Sequence, residues 1–206
     1  GDVPSPEHRI LSASRLEAWS TCPMRYFLGN VLGLAEIDKP EEIMEISALD
    51  LGSLTHEVLE EFLLPIVQRP ADERPQPHEP WPQSERDRLR ELAHACCDRY
   101  EARGLTGKSL LWRMRRSRLI ADLGRWLDTD DRLRARLGTV PESVEMRIGF
   151  EGNPPLRVTL SHRRELRFRG YADRVDLRTS EARPIEHDYK TGKPKPQNRL
   201  DDETVL

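Results

Sequence analysis

Residues 170–193, GYADRVDLRTSEARPIEHDYKTGK, constrain this chain more than any other stretch. Two β-rich segments, 168–177 and 184–190, flank a short turn of Thr179, Ser180, Glu181 and Ala182, the pattern of a hairpin or of two neighbouring strands. Side chains alternate along a strand, so Asp188 and Lys190 share one face while Ile185, His187 and Tyr189 take the other. A carboxylate and an ammonium thus stand side by side at a strand end, with Gly192 just beyond to free the backbone. If the first strand presents Asp173 at the same level, two carboxylates converge beside one lysine. Carboxylates together with phosphate oxygens are the usual ligands of Mg²⁺. A lysine beside them can lower the pKa of an attacking water or neutralise charge building on a scissile phosphate. Asp176 has the opposite parity from Asp173 and is expected to pair with an arginine. Alone, a D-x-K strand is commonly a surface ion pair worth about 0–1 kcal/mol, so the reading needs support from elsewhere in the chain.

The length, 206 residues, suffices for one good core with a helical appendage. No segment approaches the roughly 20 apolar residues of a membrane span, and the start reads as neither a signal nor a transit peptide. It begins with Gly1 and not with Met, so we expect a piece of a longer protein. Charged residues make up 33% of the chain, yet the net charge is only −3. The distribution of charge, not its sum, must therefore decide whether nucleic acid is a partner. Three cysteines, Cys22, Cys96 and Cys97, suit a reducing cytoplasm. Cys96 and Cys97 are adjacent, poorly placed to bridge each other, and are expected in a helix core.

Taken in order, residues 1–10 carry two prolines and read as an extended leader. Ser14 and Glu17 have the spacing of a capping box for a short helix, which Cys22-Pro23 interrupts before helix resumes over 24–32. Over 50–68, Leu51, Leu54, Val58, Leu59, Phe62 and Ile66 recur at three- and four-residue steps, an amphipathic helix with His56 at the border of its apolar stripe. Glu57 and Glu60 lie near that histidine, although a solvated face explains them as well. Five prolines between 69 and 82 impose a loop. Helices are predicted over 84–103, capped by Ser84 and ended by Gly104, and over 109–127, whose second face carries Arg113, Arg115, Arg116 and Arg118. Such a face is usually just solvated, but it could also follow a phosphate backbone. From Pro141 the period changes to that of strands, at 144–150, 156–160, 166–177 and 184–190, a mostly antiparallel meander of about four strands. Basic residues Arg163, Arg164, Arg167, Arg169, Lys193, Lys195 and Arg199 surround the D-x-K end.

The pair G-Y-A-D-R-V-D and H-D-Y-K-T-G resembles the core of the PD-(D/E)XK nuclease superfamily, and within it the RecB/AddB-type branch. Gly52–Glu60, G-S-L-T-H-E-V-L-E, resembles that family's helix whose histidine binds metal, and S-A-S-R-L-E-A-W-S-T-C-P-M-R-Y-F-L resembles the segment ahead of its core. The resemblance implies an α/β fold, restriction-endonuclease-like, with a central mixed sheet flanked by helices and a helical insert. It divides the single domain 1–206 into N-terminal helices with the histidine motif (11–68), the insert (69–135), the catalytic sheet (141–194) and a tail (195–206).

The activity implied is that of a divalent-metal-dependent deoxyribonuclease, an exonuclease on single-stranded DNA acting within or beside a helicase in DNA repair and recombination. Asp173, Asp188 and Lys190 would be catalytic. His56, Asp173, Asp188 and the main-chain carbonyl of Tyr189 would bind Mg²⁺ or Mn²⁺, and Arg116, Arg169, Arg174 and Lys193 would meet DNA. Cys22 matches the first ligand of a [4Fe–4S] cluster, which needs four thiolates. The cluster is therefore expected only in a longer parent and not in this fragment. His187 departs from the family, which usually has an apolar residue there, so its face is expected to be wetter. The competing reading is a catalytically inactive, nuclease-like DNA-binding or structural module of a helicase–nuclease complex.

Overall fold

The amphipathic stripe at 51–66 supplies the centre of the hydrophobic core, and the rest is arranged against it. The computed structural model describes residues 10–34, 44–150, 152–181 and 183–190. Strand β1 (Ile10–Ser12) runs directly into α1 (Ala13–Thr21), then α2 (Pro23–Tyr26) and a π-helical turn at Phe27–Val31. Helices α3 (Ala48–Val67), α4 (Gln83–Ala102) and α5 (Ser109–Leu137) follow. Strands β2 (Thr139–Ile148), β3 (Leu156–Thr159), β4 (Glu165–Arg178) and β5 (Pro184–His187) complete the order.

Helix α3 starts where Ser47 accepts a hydrogen bond from the Asp50 N–H at 3.0 Å, an N-cap of the kind worth about 1 kcal/mol. Leu54, Val58, Phe62, Leu63 and Ile66 of α3 are completely buried, each worth roughly 1.5–3 kcal/mol of transfer energy, against Leu89 and Ala93 of α4 and Trp112 and Leu127 of α5. Cys96 and Cys97 belong to this core and are inaccessible. Burial pushes their thiols up to about 12 and about 11 respectively. Gly104 closes α4 at φ +72°, where the Leu105 N–H reaches back to the Tyr100 carbonyl at 3.2 Å, as a left-handed helix end allows.

Strand β4 is the spine of a five-stranded mixed sheet. Its first half pairs with β1 in parallel (Leu11 opposite Phe168) and with β3 antiparallel (Arg157 opposite Arg167). Its second half pairs antiparallel with β2 (Met146 opposite Ala172) and with β5 (Arg174 opposite His187). This is a mixed α/β fold of the restriction-endonuclease type, with one strand more than the sequence pattern suggested. The additional strand, β1, begins at the last residue of what read as a leader.

Three local expectations fail. Ser84 does not cap α4: the helix starts at Gln83 after Pro82, without a side-chain cap, and Ser84 lies inside it. Ser14 does not cap α1: it sits inside the helix, its hydroxyl 3.4 Å from that of Ser12, because β1 pairing carries the chain to Ser12 before the helix begins. The last helix runs ten residues beyond 127, since Asp130 and Arg134 replace the apolar stripe there with a buried ion pair, Arg134 Nε to Asp130 Oδ2 at 2.9 Å. Within the described residues, no helix is long and apolar enough to cross a membrane. The tail at 195–206 lies outside the described residues.

Candidate active site

Helix α3 lies on β2, and β2 on β4, so a residue on the sheet-facing border of α3 meets the inner face of both strands. His56 occupies that border. Its Nδ1 lies 3.7 Å from Asp173 Oδ1 on β4 and 3.9 Å from Glu145 Oε1 on β2. Its Nε2 lies 3.0 Å from the main-chain carbonyl of Tyr189. A carbonyl can only accept, so Nε2 carries the proton and donates, and the Nδ1 lone pair is turned toward two carboxylates. The Tyr189 N–H donates to Asp173 Oδ2 at 2.7 Å, which leaves Oδ1 facing His56. One residue thus orients both groups through its backbone, the supporting role that groups behind metal ligands commonly play. Its ring is anchored edge-on to His56 and Trp126, at 5.9 Å each.

Glu145 was not singled out from the sequence. It lies in β2 at φ +47°, a left-handed conformation that non-glycine residues adopt only when the surroundings hold them there, between Val144 opposite Arg174 and Met146 opposite Ala172. That register places it across from Asp173. Burial raises the Glu145 carboxyl above its ordinary value, and the negative charges of Glu60 and Asp173 push the same way. His56 Nδ1, the Glu145 carboxylate and the Asp173 carboxylate offer donor atoms all within 4.8 Å of one another. Two repelling carboxylates and an imidazole lone pair aimed at them are a donor set that fits a divalent cation, with the imidazole favouring Mn²⁺. Of the acidic residues near the histidine, Glu60 therefore borders this cluster. Glu57 turns away to Arg99 Nη2 at 2.6 Å.

Asp188 and Lys190 stand at the adjoining strand end, joined to each other at 2.8 Å, with side chains 52% and 77% exposed. The Asp188 hydrogen bond raises the Lys190 ammonium above its ordinary value, so the lysine is a fixed cation and not a proton acceptor. Asp188 is not one of the donors gathered around His56, and the Tyr189 carbonyl is engaged with His56 Nε2.

The basic residues divide. Arg174 is a correction: it is 1% exposed, donates to Asp176 through Nε at 2.5 Å and Nη2 at 2.8 Å, and reaches Asp130 through Nη1 at 2.6 Å. The reason is strand parity. Arg174 is two residues from Asp176 and shares its inward face, opposite to that of Asp173. Burial opposes its charge, but Asp130 and Asp176 hold the guanidinium above its ordinary value. Arg116 is likewise committed, bridging α5 to Asp98 at 2.6 Å and to His94 Nδ1 at 2.9 Å on α4. Arg169 is half-buried with its guanidinium 5.6 Å from the Phe150 ring centre. Lys193 lies outside the described residues.

His187 does not make its face wet. Its side chain is 16% exposed and its Nε2 lies 3.3 Å from the buried Asp176 Oδ2. Cys22, half-buried, caps α2 by accepting from the Arg25 N–H at 3.5 Å.

A sequence model of the PD-(D/E)XK nuclease superfamily matches residues 10–205. The chain belongs to that superfamily. It is also similar to bacterial proteins named as subunits of an ATP-dependent helicase/deoxyribonuclease. The identity is 26% over 89% of this chain for that of Clostridium tetani, 28% over 82% for Anoxybacillus flavithermus and 29% over 85% for Desulfitobacterium hafniense. The chain spans 15%, 14% and 14% of those relatives' own lengths. In this PD-(D/E)XK domain the His56–Asp173–Tyr189 contacts join the helix carrying the histidine motif to β4 and to the segment that follows β5.

Proposed function

We propose that the chain is a divalent-metal-dependent deoxyribonuclease that hydrolyses phosphodiesters of single-stranded DNA as an exonuclease, working beside a helicase in DNA repair and recombination. The observation that carries this reading is the convergence of His56 Nδ1 and Asp173 Oδ1 to 3.7 Å, with Glu145 Oε1 3.9 Å from the same nitrogen.

Mg²⁺ or Mn²⁺ bound here would supply Lewis-acid charge stabilisation at the phosphate and acidify water for attack. His56, Asp173 and Asp188 would hold it, with Glu145 as a further oxygen donor, while the Tyr189 carbonyl accepts from His56 Nε2 on the other side of the ring. Asp188 is free to take that role at small cost. Its present partner is an exposed Lys190, a pair worth about 0–1 kcal/mol. Asp173 is presented by the Tyr189 N–H and His56 by the Tyr189 carbonyl, so neither side chain must be ordered when substrate arrives. Lys190, once released from Asp188, places a permanent positive charge where the phosphate becomes more negative. Arg169 and Lys193 remain candidates for the DNA backbone.

The test is incubation of end-labelled single-stranded DNA with the protein and Mn²⁺, Mg²⁺ or a chelator. Mononucleotide or short-oligonucleotide release with either metal, abolished by chelator and by Asp173→Ala, is the expected result. DNA binding without cleavage under every condition would favour the inactive-module reading and end this one.

A further inference from the structure

A groove of about 700 Å³ lies between α3, α5 and residues 186–190 and opens from the proposed nuclease centre, whose Asp188 and Lys190 line one end of it. Its apolar wall includes Leu59, Leu119 and Trp126, and its rim carries Arg115, Arg118 and Lys190. Arg115 and Arg118 are three apart on α5, the spacing that puts two side chains on one helix face. Both are exposed, and among the described residues neither is held in an ion pair. The carboxylates at the same rim are mostly matched. Asp188 holds Lys190 at 2.8 Å and Asp122 holds Arg125, leaving Glu186 against two free guanidinium groups.

We propose that this groove seats the single strand on one side of the cleaved bond, with Arg115 and Arg118 on backbone phosphates and a base or sugar against Leu59, Leu119 and Trp126. The inference rests on the nuclease reading and gives it a substrate path. Of three features, the first fits any nucleic-acid backbone and the other two favour an unpaired strand. A guanidinium fork matches phosphate oxygens. An apolar wall can receive a base only if that base is unstacked and unpaired, and a positive groove with an aromatic side chain is how proteins hold single strands without reading sequence. The groove is continuous with the site, since Thr55, the neighbour of His56, lines it together with Asp188, Tyr189 and Lys190.

The test measures the salt dependence of binding by fluorescence anisotropy, in chelator so that DNA stays intact, for a labelled single strand and a duplex of equal length. Each single-strand phosphate contact contributes about 0.7 to the slope of log K against log salt. The double variant Arg115→Ala, Arg118→Ala should therefore flatten the single-strand slope by about 1.4 and leave the duplex slope unchanged. Arg136→Ala removes the same type of charge from an exposed position elsewhere on α5 and should leave both slopes as in the wild type. With Mn²⁺ the double variant should raise KM while kcat holds, the mark of uniform binding. An unchanged single-strand slope, an equal loss on duplex, or an equal effect of Arg136→Ala overturns the groove. Failure of the nuclease reading is distinct: the wild type would not cleave with Mn²⁺, whatever the slopes.

Discussion

Asp176→Asn should destabilise the fold by about 3–5 kcal/mol, the cost of removing one partner from a buried ion pair, and by less as the pH falls. Asp176 is inaccessible. It accepts from Arg174 at 2.5 and 2.8 Å and from the Thr139 hydroxyl at 3.3 Å. Without its charge, Arg174 would remain buried with Asp130 as its only carboxylate, and Asp130 is already shared with Arg134 and the Trp81 indole. Burial raises the Asp176 carboxyl, but His187 and Arg174 outweigh it and hold the group at about 2, against an ordinary 3.8. A depressed folded-state value means the unfolded chain binds the proton more readily, so the stabilisation is present above about pH 4 and is lost as pH falls toward 2. At 1.36 kcal/mol per unit this amounts to about 2.5 kcal/mol in all, of which on the order of 1 kcal/mol is gone by about pH 3. Urea unfolding of wild type and Asp176→Asn at about pH 7 and about pH 3 measures both quantities. A loss below about 1 kcal/mol at neutral pH, or one equal at both pH values, would refute the role of this network.

Lys190→Ala should slow cleavage by about 10²–10³, the effect of removing one electrostatic donor, while calorimetry shows metal affinity nearly unchanged; activity equal to wild type would remove the lysine from the mechanism. Asp188→Ala and Asp173→Ala should abolish both cleavage and metal binding, and retention of binding by Asp188→Ala would leave His56, Glu145 and Asp173 as the donor set. Asp176→Ala should retain the metal affinity of whatever fraction folds, because its side chain faces away from Asp173. The 206-residue chain should contain no stoichiometric iron by metal analysis, since a four-thiolate cluster cannot be met by Cys22 plus two sealed thiols in α4; four irons per chain would show the ligand set misjudged.

The helices α3 and α4 and strand β4 were legible because apolar period and turn chemistry point the same way at each, whereas the strand expected over 184–190 ends at His187 and leaves Asp188, Tyr189 and Lys190 beyond it. Resemblance brought His56 and Asp173 together before the structure did. Glu145 was invisible for a physical reason: its position opposite Asp173 follows from strand register and from a left-handed residue inside β2, and register is a pairing property that one strand's sequence does not carry. Arg174 was misplaced by reading charge without parity, although its spacing from Asp176 already put both on one face. The end of α5 was lost because Asp130 and Arg134 are buried through ion pairs and hydrogen bonds to the 75–79 loop, which breaks the apolar period while strengthening the packing. Strand β1 is three residues long, too short for alternation to register.

The central claim is that one divalent ion sits between α3 and the D…DYK strands. Crystals soaked in Mn²⁺ and measured for anomalous scattering test it directly. The expected result is one strong peak at about 2.0–2.2 Å from His56 Nδ1 and an Asp173 oxygen, in octahedral geometry, absent in Asp173→Ala. A peak at the second acidic grouping, Glu57, Glu61 and Cys96, where Arg99 already supplies the cation, or no peak at saturating Mn²⁺, would contradict it.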